Sequence, residues 1–157
     1  MGRQELLLLG DEDLLNLCSQ DFFKASGPGG QKKNKTSSAV RLIHKESGIQ
    51  ASASEDRQQS VNKKRALRRL RLELALQIRE DFSPWKGEWN MNEKNDLYAV
   101  LVATLIDGLE ECNYQVSDLS KKLSLSTSAL IKVLHKSQIV WRFVNEQRQK
   151  RNLKALK

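Results

Sequence analysis

The spacing of apolar residues changes period along the chain, and each change marks a different element. Asp11 or Asp13 can cap a short helix through about Cys18, and Asp21-Phe22-Phe23-Lys24-Ala25 reads as a brief strand. From Ala39 to His44, Val40 and Leu42 alternate with Arg41 and Ile43. From Ile49 to Ala53, Ile49, Ala51 and Ala53 alternate with Gln50 and Ser52. This period of two predicts a hairpin turning through residues 45–48, with Gly48 free to take a positive φ. A long helix follows, starting between Asp56 and Asn62 and running to about Glu80, with Leu67, Leu70, Leu74 and Ile78 on the core side. Arg65 and Arg69 lie opposite in its first half, and Leu72 and Leu76 in its second, so the helix changes surroundings along its length.

Between Asp81 and Asn95 the periodicity breaks around Pro84, Trp85, Gly87 and Trp89, which predicts a linker. Helical spacing then resumes. Leu97, Val100, Leu101, Thr104, Leu105 and Leu109 mark a helix over 96–111. Ser117 can cap a helix through Leu123, Ser126 one through Leu134, and a last helix covers Gln138 to Leu153. Residues 117–134 have helix-turn-helix character, with Leu119, Leu123, Leu125, Leu130 and Leu134 at the positions that hold two short helices together and Ser124 in the turn where Gly is usual. The division expected is 1–80 for the first domain, 81–95 for the linker and 96–157 for the helical domain.

A chain of 157 residues is too short for a large multidomain enzyme and suffices for one ordinary or two small domains. No apolar run approaches the roughly 20 residues of a membrane span, so no membrane partner is expected. Leu6 to Leu9 is too short for a signal-peptide core and is followed by Asp11, Glu12 and Asp13, which points to a cytoplasmic protein. Cys18 and Cys112 stand alone, without CxxC or a neighbouring His. They read as buried thiols, and no metal or cofactor is expected.

Charge sharpens the reading. The formal net charge is +8, and residues 32–79 alone carry thirteen bases and four acids. The basic surface is therefore local, and a polyanion such as RNA or DNA is its natural partner. The helix-turn-helix stretch offers Lys132 and Lys136 but little Arg, Asn or Gln with which to read base edges, so a transcription regulator is the weaker reading of that half.

Three of eight glycines, Gly27, Gly29 and Gly30, fall within four positions beside Pro28 and Gln31. Neither GxxxxGK[ST] nor GxGxxG is present, and no Ser-His-Asp set or carboxylate pair flanks the loop. Chemistry here would work by positioning and hydrogen bonding. The run Ser26-Gly-Pro-Gly-Gly-Gln-Lys-Lys-Asn-Lys-Thr36, with Ala39-Val-Arg-Leu42, His44, Gly48-Ile49 and Arg57-Gln-Gln-Ser-Val-Asn62, strongly resembles the catalytic domain of class I peptide chain release factors over roughly residues 11–80.

That resemblance implies an α+β fold: a small mixed β-sheet with a long helix, followed here by the helix-turn-helix-like domain. It implies hydrolysis of the peptidyl-tRNA ester in the ribosomal peptidyl transferase centre. Gly29, Gly30 and Gln31 would be catalytic. Lys32, Lys33, Lys35, Arg41, Arg57, Arg65, Arg68 and Arg69 would hold rRNA phosphates. Ser26, Gly27, Pro28, Asn34 and Thr36 would brace the loop, and His44 would be structural. The partners implied are large-subunit rRNA, P-site peptidyl-tRNA and a glutamine methyltransferase acting on Gln31.

Two departures matter. Only about ten residues precede the matched region, so a codon-independent release or ribosome-rescue activity is expected rather than stop-codon reading. Gln58 stands where the family commonly has Ser. The alternative is a non-catalytic module that docks on rRNA or tRNA as an assembly or quality-control factor. Arg142, Arg148, Lys150, Arg151, Lys154 and Lys157 make the last helix basic, which leaves a tail-like role in RNA contact open to it.

Overall fold

A computed structural model describes residues 1–24 and 37–157. The elements run α1 (Arg3–Leu8), α2 (Asp11–Asn16), β1 (Cys18–Phe23), β2 (Ala39–His44), β3 (Gln50–Ala53), α3 (Gln59–Gln77), α4 (Tyr98–Glu111), α5 (Val116–Lys122), α6 (Thr127–His135) and α7 (Gln138–Lys150). The architecture is α+β. The chain divides into two compact units, Met1–Leu74 and Ala75–Lys157, and the division falls inside α3.

In the first unit the strands form one sheet in the order β1-β2-β3. The sheet was expected to be mixed, but both pairings are antiparallel, with Cys18 opposite His44, Phe23 opposite Ala39 and Val40 opposite Ala53. The reason lies in the connections. No helix intervenes between β2 and β3 among the described residues, and parallel neighbours need a crossover of a dozen residues or more. Val40, Leu42 and His44 point inward and are buried, whereas Arg41 is exposed. At the hairpin Gly48 takes φ 75°, as its position demands.

His44 braces this turn. Its Nδ1 accepts the Ser47 N–H at 3.3 Å and meets Ser47 Oγ at 2.7 Å, while Oγ accepts the Ile49 N–H at 3.2 Å. The serine hydroxyl therefore donates to Nδ1, which leaves the ring proton on Nε2. The ring is 2% exposed, in keeping with a structural role.

Helix α1 is absent from the periodic reading. It is bounded by Gly2 and Leu9, and it buries Leu6 and Leu7, the leucines that look too few for anything larger. Arg71 of α3 donates to the Leu7 carbonyl at 3.2 Å and pairs with Asp11 at 2.9 Å. Asp11 is thus the first residue of α2 and a charge partner rather than its cap, which is Gly10. Cys18 is buried, and its thiol donates to the Leu14 carbonyl at 3.3 Å.

The second unit is helical. Helix α4 is buried on nearly every side from Tyr98 to Leu109, as an all-round apolar helix must be. Leu97, placed in its core stripe by spacing, instead precedes the first turn and is 44% exposed. Gly108 gives α4 room: a Cβ there would stand 2.5 Å from Leu119 Cδ1 and 2.9 Å from the Phe82 ring. Helices α5 and α6 form the expected helix-turn-helix pair, with Leu119, Leu130 and Leu134 fully buried and Ser124 in the turn at φ 56°. Ser126 caps α6 by accepting the Ala129 N–H at 3.1 Å. Ser117 does not cap α5. That position is Gln115, and the Ser117 carbonyl accepts from Ser120 within the helix.

Candidate functional site

The site is read from the two ends of the chain that flank residues 25–36. On the outgoing side is β1, whose last residue Phe23 pairs with Ala39. On the returning side Ser37 and Ser38 lead into β2, and Ser38 is 4% exposed. The proposed catalytic Gly29, Gly30 and Gln31, the bases Lys32, Lys33 and Lys35, and the bracing Ser26, Gly27, Pro28, Asn34 and Thr36 lie outside the described residues.

Helix α3 supplies the returning side with two side-chain amides. Gln59 Nε2 donates to the Ser37 carbonyl at 2.8 Å, and Asn62 Nδ2 donates to the Ser38 carbonyl at 2.9 Å. Asn62 Nδ2 also donates to the Asp56 carbonyl at 2.9 Å, and its Oδ1 accepts the Asp56 N–H at 3.0 Å. Three partners in this pattern fix the amide orientation, since a flip would face oxygen against two carbonyls. The residue is completely buried, so these bonds replace all of its hydration. Ahead of the helix, Asp56 Oδ1 accepts the Gln58 N–H at 2.9 Å, which shapes the turn into α3.

The described bases divide by surroundings. Arg41 lies on the exposed side of β2, opposite Asp21, with its guanidinium 5.0 Å from the Phe23 ring centroid. That cation–π contact sits at the end of β1. Arg57 and Arg68 are exposed to solvent. Arg69 donates to the Ser52 carbonyl at 2.9 Å and pairs with Glu55 at 2.8 Å, and Arg65 reaches Glu55 at 3.9 Å. Partial burial pushes the Glu55 carboxyl up, but the Arg69 hydrogen bond and charge, with backbone N–H groups of Ser54 and Glu55, hold it below the usual range. Arg69 is therefore first a tie between α3 and β3.

The second unit uses several of its bases internally. Lys136 donates to Asn90 Oδ1 at 3.2 Å and to the Met91 carbonyl at 2.9 Å. Arg148 donates to the Tyr114 and Lys154 carbonyls at 2.7 and 2.8 Å. Arg151 pairs with Glu110 at 3.2 Å and lies 4.4 Å from the Tyr114 ring centroid. These contacts anchor the end of α7 within its own unit, whereas Lys132 and Arg142 are exposed.

Gln59 and Asn62 carry no role in the sequence reading, although a signal is present. Asn62 continues the row Ala66, Leu70 and Leu74, four residues apart, all buried. A polar amide in an apolar row must be bonded to something, and its carbonyl partners are Ser38, ahead of β2, and Asp56, ahead of α3.

Comparison with known proteins places these residues in a lineage. Among similar proteins are peptide chain release factor 1 of Caldicellulosiruptor bescii, 48% identical over 54 residues, covering 34% of this chain and 15% of that protein. Peptide chain release factor 1 of Enterococcus faecalis is 37% identical over 87 residues, 55% of this chain and 22% of that one. Peptide chain release factor 2 of Campylobacter lari is 41% identical over 80 residues, 49% and 20% of the two chains. The chain thus spans about a fifth of the length of these curated relatives. The family model for the RF-1 domain matches residues 15–99, which include the sheet, residues 25–36 and all of α3, so the chain belongs to the RF-1 domain family.

Proposed function

We propose that this protein is a codon-independent, release-factor-like peptidyl-tRNA hydrolase that frees nascent peptides from stalled or terminating ribosomes in the cytoplasm. The observation that carries the reading is Gly29-Gly30-Gln31 within an eleven-residue run of release-factor type, in a chain of the RF-1 domain family. Gly29 and Gly30 let the backbone adopt conformations closed to other residues and approach RNA closely. Gln31 then stands at the ester: its backbone N–H stabilises negative charge developing on oxygen, and its side-chain amide orients water.

The reaction is simple in its balance. The water oxygen bonds to the ester carbonyl carbon, and the bond from that carbon to the 3′ oxygen of the tRNA breaks. A water proton ends on the 3′ oxygen, leaving a free peptide acid and a deacylated tRNA. No metal or redox partner is needed for the balance. The exposed Arg57 and Arg68, with Lys32, Lys33 and Lys35, supply phosphate contacts that hold large-subunit rRNA without reading its sequence. Methylation of the Gln31 side-chain amide by a partner enzyme fits the same site.

The test is peptide release from stalled ribosome complexes by purified protein. Gln31→Ala, and separately Gly29→Ala with Gly30→Ala, are expected to lower the release rate constant by ~100- to 1000-fold with ribosome affinity nearly intact. Release that survives these changes would overturn the reading.

A further inference from the structure

We infer that Gln59 and Asn62 form a two-point clamp that sets where the loop preceding β2 leaves the sheet, making them positioning residues for the release reaction. The inference rests on the hydrolase reading above but has its own physical content. Ser37 and Ser38 are the last residues before β2, and each offers one carbonyl to a different side chain of the first turn of α3. Ser37 and Ser38 are 22 and 24 residues from their partners, so the bonds tie two distant parts of the unit. Consecutive peptide groups held at 2.8 and 2.9 Å have little freedom to rotate, so the stem at Ser37 and Ser38 is fixed against α3.

The two residues contribute differently. Gln59 is exposed, and its bond is the outer and weaker point. Asn62 is the inner one. Through Asp56 it also locks the turn that begins α3, so the approach to the helix and the stem ahead of β2 share one buried amide. The clamp touches no substrate. It acts through the loop, and displacements of about 1 Å at reacting atoms are enough to lower rates by ~100-fold.

The experiment uses the full chain with three variants. Gln59→Met keeps length and removes the donor, Gln59→Lys restores a donor, and Asn62→Ala removes the inner point. Amide hydrogen exchange is read at residues 39–41 against residues 51–53, and peptide release kinetics are read on stalled ribosomes. Gln59→Met should speed exchange at 39–41 by ~5-fold and lower kcat by ~5-fold, with KM within about twofold of the parent. Gln59→Lys should recover most of both. Asn62→Ala should lower kcat by ~100-fold, with far-ultraviolet circular dichroism unchanged. Gln59 is exposed, so Gln59→Met keeps the proposal falsifiable even where Asn62→Ala fails to fold.

Normal kcat with fast exchange, normal exchange with low kcat, or a loss confined to KM would each overturn the clamp. A parent protein that releases no peptide from any stalled complex would instead overturn the hydrolase reading, and the exchange comparison alone would then decide whether the clamp exists.

Discussion

At the residue scale the left-handed backbone positions separate fold from strain. Asn113, Ser124 and Asn152 have φ of 53°, 56° and 59°, and Tyr114 has 62°. Asparagine tolerates this region, whereas serine pays a steric penalty from its Cβ of about 1 kcal/mol or more. Ser124 sits in the turn between α5 and α6 and is exposed, so removing its side chain opens no cavity. Ser124→Gly should therefore stabilise the protein by about 0.5–1 kcal/mol after the added freedom of the unfolded chain is counted. A thermal melt should show a midpoint raised by roughly 1–4 °C, and an unchanged or lower midpoint would mean that the turn stores no strain. Tyr114 is different, because its ring is fully buried and its carbonyl is held by Arg148. The conformation there is enforced from outside, which is why nothing in the local sequence announces it.

At the scale of the element, α3 joins a structural face to a basic one. Its stripe of Leu67, Leu70 and Leu74 is legible as core because helical spacing of leucines is a strong signal, and all three are buried. The fate of its arginines is not legible, since Arg68 and Arg69 are adjacent, identical in type and opposite in use. Arg69 is tied to Ser52 and Glu55, while Arg68 faces solvent. Only the register of β3 against the helix decides between them, and register is a long-range property. Arg68→Gln should weaken ribosome binding and reduce the slope of log affinity against log salt by about 1, leaving the melting midpoint alone. Arg69→Gln should lower the midpoint by roughly 2–4 °C and change the salt slope less. Titrations at several salt concentrations, beside melts of the same preparations, check both. The reverse pattern would mean that the Glu55 pair yields to RNA. The hairpin and the positive φ of Gly48 are likewise legible, because alternation and a turn glycine are local signals. The antiparallel order of the whole sheet and the short α1 are not, because the first depends on how β1 meets β2 and the second holds only two buried leucines.

At the scale of the whole molecule, the buried ionisable groups predict where folding fails with pH. The chain has two tyrosines, both in the second unit, with Tyr98 5% exposed and Tyr114 fully buried. Burial, reinforced by Glu93, pushes Tyr98 up to about 12 against a hydrogen bond with Ser137. Burial, reinforced by Glu110, pushes Tyr114 up to about 12 even with Arg79 and Arg151 nearby. Both thiols are raised as well by burial, against Lys45 for Cys18 and against Lys122 for Cys112. In each case the unfolded chain loses its proton first. Stability is therefore complete below the unfolded pKa and declines as pH rises: for the tyrosines, between about pH 10 and 12, by roughly 2–3 kcal/mol apiece. Denaturant melts should show a nearly flat midpoint from pH 7 to 8, a shallow decline as the unfolded thiols begin to ionise, and a steep fall above 10. Tyrosinate absorbance should stay low in the folded protein at pH 10.5 and rise together with the loss of helical circular dichroism. Tyr114→Phe should shrink the tyrosine part of that fall by about half. It should also leave neutral-pH stability the same or higher, because the Tyr114 hydroxyl has no hydrogen-bond partner among the described residues. Tyrosinate appearing near pH 10 with helix content intact would show instead that the second unit admits water to both rings.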